Sequence, residues 1–149
     1  MRVIEYFAAD NREYWLSQIR KSDWIAGQFL YGLLKDNRYH AYAGENARIL
    51  LLTDGNELIS FCTLSDKDDI EPTDLMPWVG FVYTFPQYRG NRYAGRLFDY
   101  AATLAKRDGF DNLYISTDQE GIYEKYQFRF IGIMKDKRGG DSSVYIRHI

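Results

Sequence analysis

The chain has 149 residues, of which 46% are hydrophobic and 27% charged, and its formal net charge is −2. This balance predicts one globular domain over residues 1–149 and argues against a disordered chain or a broad basic surface for nucleic acid. No apolar run approaches the ~20 residues that a membrane-spanning helix needs. The single cysteine, Cys62, excludes an internal disulfide and a cysteine-built zinc site. Since the N-terminus lacks a signal-peptide layout, we expect a cytoplasmic protein.

The sequence predicts strands and helices mixed along the chain. A helix in two pieces over 10–35 follows a first strand, because Asp10 and Glu13 have the spacing of a capping box and apolar residues then recur at helical intervals. The other predicted elements, in chain order, are a loop 36–46, strands 48–53 and 57–64, a charged loop 65–74, a strand 78–85, a helix 94–107, a strand 113–117, a helical turn 122–126, and strands 128–134 and 144–149. This order predicts an α/β (α+β) domain in which helices flank a mixed, mostly antiparallel central sheet.

The segment from Phe81 to Leu97 carries the clearest chemical signal. A strand runs into a turn rich in arginine and glycine, and the turn opens a helix. A helix N-terminus offers unpaired N–H groups and a positive dipole end, and Arg89 and Arg92 add positive charge beside Gly90. A pyrophosphate fits such a turn, although exposed arginines at an ordinary helix start would show the same residues. Neither a Walker sequence nor a Gly-x-Gly-x-x-Gly fingerprint is present.

Two segments resemble motifs of the GNAT family of N-acetyltransferases. The run 86–97 is similar to its cofactor-binding motif. Arg89 and Ala94 match the first and last residues of that motif, and Arg92 stands where a glycine is usual. The run 122–128, Ile-Tyr-Glu-Lys-Tyr-Gln-Phe, is similar to a second motif, with Gln127 in place of a glycine. The order of the predicted elements also resembles the family fold over nearly the whole chain.

The resemblance implies an acetyl-CoA-dependent enzyme in which a primary amine attacks the thioester directly, without a metal. Tyr123 matches the general acid that protonates the leaving sulfur. The cofactor-binding positions are Val82, Tyr83 and Thr84 for the pantetheine, and Arg89, Gly90, Asn91, Arg92, Tyr93, Ala94 and Gly95 for the pyrophosphate. Two alternatives stay open: a domain of the same fold that binds acetyl-CoA without turnover, and a phosphate- or nucleotide-binding module unrelated to CoA.

The charged loop 65–74 supplies candidates for the general base, which an amine needs in order to lose its proton. We rank Glu71 and Asp74 first, then Asp68 and Asp69, while a solvated loop is the ordinary interpretation of such a run. Its charge would favour a cationic amine as acceptor.

Aromatic residues make up 17% of the chain, and most of them are expected in the core. The aromatic residues of the first helices that could instead wall an acceptor pocket are Tyr14, Trp15, Trp24, Tyr31, Tyr39 and Tyr42. A homodimer is possible through edge pairing of the C-terminal strand.

Overall fold

The computed structural model describes residues 1–149. Its seven strands are β1 (Arg2–Glu5), β2 (Arg48–Asp54), β3 (Glu57–Ser65), β4 (Trp78–Thr84), β5 (Asn112–Thr117), β6 (Arg129–Lys135) and β7 (Asp141–His148). Its four α-helices are α1 (Arg12–Ile19), α2 (Ile25–Lys35), α3 (Tyr39–Ala43) and α4 (Ala94–Arg107). Short 3₁₀ turns span Tyr6–Ala8, Pro86–Tyr88 and Tyr123–Tyr126. None of the helices combines the length and the apolar content required to cross a bilayer.

The sheet is sandwiched between two apolar layers, and alternate residues of β2 serve each layer. Leu50 and Leu52 are fully buried against α4, whereas Ile49 and Leu51 are fully buried against α1, α2 and α3. Successive side chains of a β-strand lie on opposite faces of the sheet. A continuous apolar run is therefore required wherever helices cover both faces, as the sequence of β2 shows.

The strand order is β1-β2-β3-β4-β5-β7-β6. Every neighbouring pair is antiparallel except β4 and β5, which run parallel and pair only through Trp78 with Tyr114 and Val79 with Ile115. The predicted class, a mixed and mostly antiparallel sheet flanked by helices, is confirmed. Beyond Val79 the two central strands no longer pair, and the functional cleft opens there.

Several local predictions were wrong. The first helix begins at Arg12 after Asn11 rather than at Asp10, and a third helix, α3, occupies part of the predicted loop 36–46. Helix α3 is only five residues long, and it is held by burial of Tyr39, whose hydroxyl donates a hydrogen bond to the Arg48 carbonyl at 3.0 Å. Such a contact between segments leaves no periodic signal in the local sequence.

The C-terminal strand is not an edge strand. Strand β7 lies between β5 and β6 and pairs with both, so its backbone hydrogen-bonding groups are already used on each side. The free edges of the sheet are β1 and β6. The route to a dimer through pairing of the C-terminal strand is therefore closed.

Candidate active site

A cleft of about 780 Å³ opens where β4 and β5 separate. Residues 80–84 line it from β4, and residues 115–119 line it from the end of β5 and the turn that follows. The start of α4 and the turn that carries Tyr123 complete the walls. Since the paired positions of the two strands end at Val79 and Ile115, the backbone of residues 80–84 has no strand partner on the β5 side. An extended, amide-bearing ligand could therefore hydrogen-bond to that free strand edge.

A bulge in β4 marks the point of separation. The pairing register with β3 shifts between Phe61 and Thr63, and Phe81 adopts the left-handed backbone with φ of +48°. A bulky residue in this region costs about 1–3 kcal/mol and requires compensating contacts. The Phe81 ring stacks near Phe29 and lies edge-on to Tyr42, with centroids 6.3 and 6.5 Å away. A bulge bends its strand and increases its twist, and this one lies just beyond the last paired residues of β4 and β5.

The turn before α4 presents a series of free backbone donors. Within the protein, none of the N–H groups of residues 90–94 donates a hydrogen bond to the backbone, and the first such donor is Gly95, to the Arg92 carbonyl at 3.0 Å. Gly90 and Arg92 both have a positive φ, +87° and +54°. Successive N–H groups in such a turn form a concavity that binds anions, and the helix dipole adds to the attraction. The geometry suits a pyrophosphate.

Arg89 is fixed beside this turn. Its Nε donates a hydrogen bond to the Thr84 carbonyl at 2.8 Å, and its guanidinium lies 5.4 Å from the centre of the Tyr83 ring. The arginine at position 92, where the family motif has a glycine, adopts the left-handed backbone that a glycine favours. Gly95 serves packing, because a Cβ there would lie 3.2 Å from the Tyr126 ring. The turn thus keeps its shape despite the substituted glycine.

Tyr123 projects into the cleft from the turn after β5. Its ring packs against Phe98 and Phe128, with centroids 6.0 and 6.2 Å away, and its hydroxyl makes no hydrogen bond within the protein. Burial raises the pKa of Tyr123 to about 12. The hydroxyl is therefore protonated throughout the neutral range and is free to donate to a ligand. The following Gln127 has φ of +72°, again at a position where the family has a glycine.

Asp68 is the carboxylate of the charged loop that lies against both β4 and β5 where these strands separate. Ser116 on β5 donates a hydrogen bond to Asp68 Oδ2, and a Cβ added to Gly80 on β4 would lie 2.9 Å from Asp68 Oδ1. Burial raises the pKa of Asp68 to about 6. A carboxyl with this pKa is ionised at neutral pH yet basic enough to accept a proton.

Glu71 and Asp74 lie elsewhere. Both are exposed, neither lines the cleft, and the Glu71 N–H donates to the Lys135 carbonyl at 3.0 Å, on the far edge strand. The charged loop therefore turns away from the cleft after Asp69. The sequence-based ranking put Glu71 and Asp74 ahead of Asp68 and Asp69, whereas only Asp68 and Asp69 line an opening beside the separated strands.

A second opening of about 670 Å³ adjoins the first, and the residues that line both are Trp24, Gly80, Phe81, Ser116, Thr117 and Asp118. The side chains that line the second opening alone include Ile25, Phe29, Tyr42, Asp68, Asp69, Asp136, Arg138 and Asp141. We call this the acceptor opening. Of the six aromatic residues suggested for an acceptor wall, Trp24 and Tyr42 line it, whereas Trp15 and Tyr39 are core residues.

Comparison with known proteins decides the family. The model of the acetyltransferase (GNAT) family matches residues 7–128. The chain belongs to the GNAT family. The predictions of an acyltransferase and of acetyl-CoA as its cosubstrate are thereby confirmed at the level of the family. No curated protein matches this sequence.

Solved structures of GNAT proteins share the fold at low sequence identity. A GNAT-family protein from Desulfovibrio desulfuricans superposes with a TM-score of 0.72 at 11% identity, covering 99% of this chain and 98% of its own. An aminoglycoside 6'-N-acetyltransferase complexed with coenzyme A gives 0.67 at 12% identity, covering 99% and 97%. A GNAT acetyltransferase from Elizabethkingia anophelis with acetyl-CoA bound gives 0.67 at 15% identity, also covering 99% and 97%. The likeness of fold therefore extends over nearly the whole of each chain.

Sequence reasoning missed two features of the site and placed a third only in part. The pairing of Asp68 with Ser116 joins residues 48 positions apart, and no local pattern announces it. The left-handed Phe81 is a bulky residue where a glycine or asparagine would have been the recognisable signal. Trp24, at the start of α2, was considered as a wall residue, but its place between the two openings depends on the packing of α2 against β4.

Proposed function

We propose that this GNAT protein transfers the acetyl group of acetyl-CoA to a primary amine of a cationic acceptor, either a small molecule or a peptide. The observation that carries the proposal is the meeting of two openings at Gly80 and Ser116, both of which lie against Asp68. One opening has the free donors of residues 90–94, and the other is lined by aromatic rings and carboxylates. An aminoglycoside, the acceptor named for one of the similar structures, is itself a cationic amine.

The cofactor cleft divides into two parts. The free edge of Val82, Tyr83 and Thr84 would hydrogen-bond to the pantetheine amides. The turn from Arg89 to Gly95 would hold the pyrophosphate through its N–H groups and through the charges of Arg89 and Arg92. The protein groups suit the ligand chemically, since the pantetheine amides would face a free strand edge and the phosphates would face a turn of N–H groups and arginines.

Asp68 is proposed as the general base. An amine acceptor is mostly protonated at neutral pH, because the usual pKa of such a group is near 10, and it must lose that proton before it attacks. The Asp68 carboxylate accepts the proton while Ser116 holds it in place. The freed nitrogen forms a bond to the thioester carbonyl carbon and gives its remaining extra proton to solvent, and the carbon–sulfur bond breaks.

Tyr123 is proposed as the group that stabilises the leaving sulfur. A thiol has a pKa of about 8.5, so a phenol whose pKa is about 12 holds its proton more tightly than the departing thiolate would. Tyr123 therefore acts mainly as a hydrogen-bond donor to the developing negative charge. The sulfur leaves as a thiolate held by this hydrogen bond and takes its proton from solvent, and Tyr123 keeps its own.

Calorimetric titration with acetyl-CoA, CoA and ATP tests the cofactor assignment. We expect micromolar binding of acetyl-CoA and CoA and little binding of ATP. Equal binding of ATP would favour the unrelated nucleotide module, and the absence of acetyl-CoA binding at millimolar concentration would contradict the proposal. A domain that binds without turnover would pass this test and then acetylate none of a panel of amines. A homodimer and a cytoplasmic location stay predictions.

A further inference from the structure

The hairpin between β6 and β7 places two cations at the acceptor opening. The ammonium of Lys137 lies 4.5 Å from the centre of the Tyr42 ring. The neighbouring Arg138 reaches Asp69, with 2.7 Å between Nη2 and Oδ2. A cation over an aromatic face and a guanidinium on a carboxylate are the contacts by which proteins bind the cationic groups of ligands. Here Lys137 and Arg138 of the chain itself make both contacts.

The hairpin tip is shaped by its own hydrogen bonds. The N–H groups of Arg138 and Gly140 both donate to Asp136 Oδ1, at 2.8 and 2.9 Å, and the Asp136 N–H donates to the Gly140 carbonyl at 2.8 Å. The turn therefore keeps its form whether or not its side chains touch the rest of the protein. Lys137 and Arg138 are therefore two cations on a turn that its own hydrogen bonds hold in shape.

The contacts of this tip with the opening are weak. The side chain of Arg138 is 74% exposed even when paired, and that of Asp69 is 36% exposed. An ion pair this accessible to water contributes little stability, because water screens it and two long side chains lose freedom. A ligand cation of higher affinity could displace it at small cost.

We propose that Tyr42 and Asp69 form a distal cation subsite, which Lys137 and Arg138 fill until a second cationic group of the acceptor displaces them. The inference rests on the proposed function, because it assigns the opening beside Asp68 to the acceptor. The substrate class is then a diamine or polyamine. One amine is acetylated at Asp68, and a second, still protonated, binds at the distal subsite. The hairpin selects against acceptors with a single charge by competing for that subsite.

The test compares acceptors that differ only at the distal end. 1,6-Diaminohexane, hexylamine and 6-aminohexanoate carry a distal cation, no charge and an anion, and diamines of four and eight carbons cover other spans. At fixed ionic strength, we expect kcat/KM for the best diamine, corrected for its two equivalent amines, to exceed that for hexylamine about tenfold. 6-Aminohexanoate should be the poorest acceptor. We call the diamine-to-hexylamine ratio the diamine preference.

Variants separate the subsite from the competing hairpin. Asp69→Asn should lower the diamine preference about tenfold. Arg138→Ala should raise it about threefold, as expected for the loss of an exposed competitor. Arg107→Ala removes the same charge from an exposed position at the end of α4, outside both openings, and should leave the preference unchanged.

Trypsin provides a reading that does not depend on turnover. Displacement of Lys137 and Arg138 should speed cleavage after these residues when 1,6-diaminohexane is present, relative to hexylamine at the same concentration. A short reporter peptide in the same reaction corrects for inhibition of trypsin by either amine. In Asp69→Asn the diamine should no longer accelerate cleavage.

The outcomes separate the two proposals. Transfer to hexylamine without a preference for any diamine, or unchanged cleavage of the hairpin, would overturn the distal subsite and leave the acetyltransferase intact. An Arg138→Ala variant whose preference rises no more than that of Arg107→Ala would show that the hairpin does not compete. Failure to acetylate every amine in the series would count against the proposed function itself.

Discussion

Ser116 donates its hydroxyl hydrogen bond to Asp68 across the point where β4 and β5 part. The last parallel pair of the two strands is Val79 with Ile115, so Ser116 is the first residue of β5 beyond the paired region. A hydroxyl at that position reaches the β3–β4 loop because no strand stands between them. The separation that opens the cofactor cleft thus also positions the carboxylate beside it.

Replacing Asp68 with asparagine should remove the proton acceptor and keep the hydrogen bond from Ser116. We expect kcat to fall about 100- to 1,000-fold, the usual range for a general base, with acetyl-CoA affinity retained. Steady-state kinetics and calorimetry on the same preparation measure both. Glu71→Gln and Asp74→Asn are matched comparisons, and a comparable loss in either would return the role of base to that residue.

The pH profile of kcat/KM gives a second measure of Asp68. A base works only when deprotonated, so activity should rise with pH through the pKa of Asp68, about 6. Since the folded pKa exceeds the usual value of about 3.9, Asp68 binds more protons in the folded state between these values, and its contribution to stability falls as pH rises from about 4 to 6. Asp68→Asn should flatten this fall in thermal melts. An unchanged fall would show that another group is responsible.

Replacing Tyr123 with phenylalanine should slow transfer about 100-fold, the scale for loss of one hydrogen-bond donor to a developing charge. The ring would keep its packing against Phe98 and Phe128, so melting temperature and CoA affinity should change little. With a pKa of about 12, Tyr123 stays protonated, and the wild-type rate should show no decline from its ionisation below about pH 11. Unchanged turnover in the variant would remove Tyr123 from the mechanism.

Arg89→Ala should weaken CoA binding by about 1–3 kcal/mol, the scale of a charge-assisted contact. The guanidinium is held by the Thr84 carbonyl and lies over the Tyr83 ring, so it is positioned before the ligand arrives. Calorimetry with CoA measures the change, and Arg107→Ala controls for net charge. Equal affinity in the two variants would refute the pyrophosphate assignment.

Gly80→Ala should reduce turnover without weakening CoA binding. The new Cβ would lie 2.9 Å from Asp68 Oδ1 and 3.3 Å from Thr63 Oγ1, so the carboxylate must move. Gly32→Ala is the matched control, because a Cβ there meets nothing within 4 Å and alanine favours the helix interior. We expect the control to keep its activity and to gain slight stability. If Gly80→Ala were fully active, the position of Asp68 would not matter to the rate.

The sequence alone determined the features that depend on neighbouring residues. Apolar periodicity located α4 and the strands, and the arginines and glycines between Pro86 and Leu97 were enough to indicate an anion-binding turn. The same holds for Tyr123, whose flanking residues resemble a family motif. These signals are local because helix starts, glycine turns and strand alternation are set within a few residues.

Only the tertiary structure decided which distant groups meet. Asp68 rather than Glu71 lies at the acceptor opening because the charged loop turns away toward β6 after Asp69, and β7 is internal because β6 folds back along its outer side. The left-handed Phe81 and the short helix α3 likewise depend on contacts between segments. At these residues, packing between distant parts of the chain outweighs the local conformational preference, and the neighbouring sequence gives no signal of that packing.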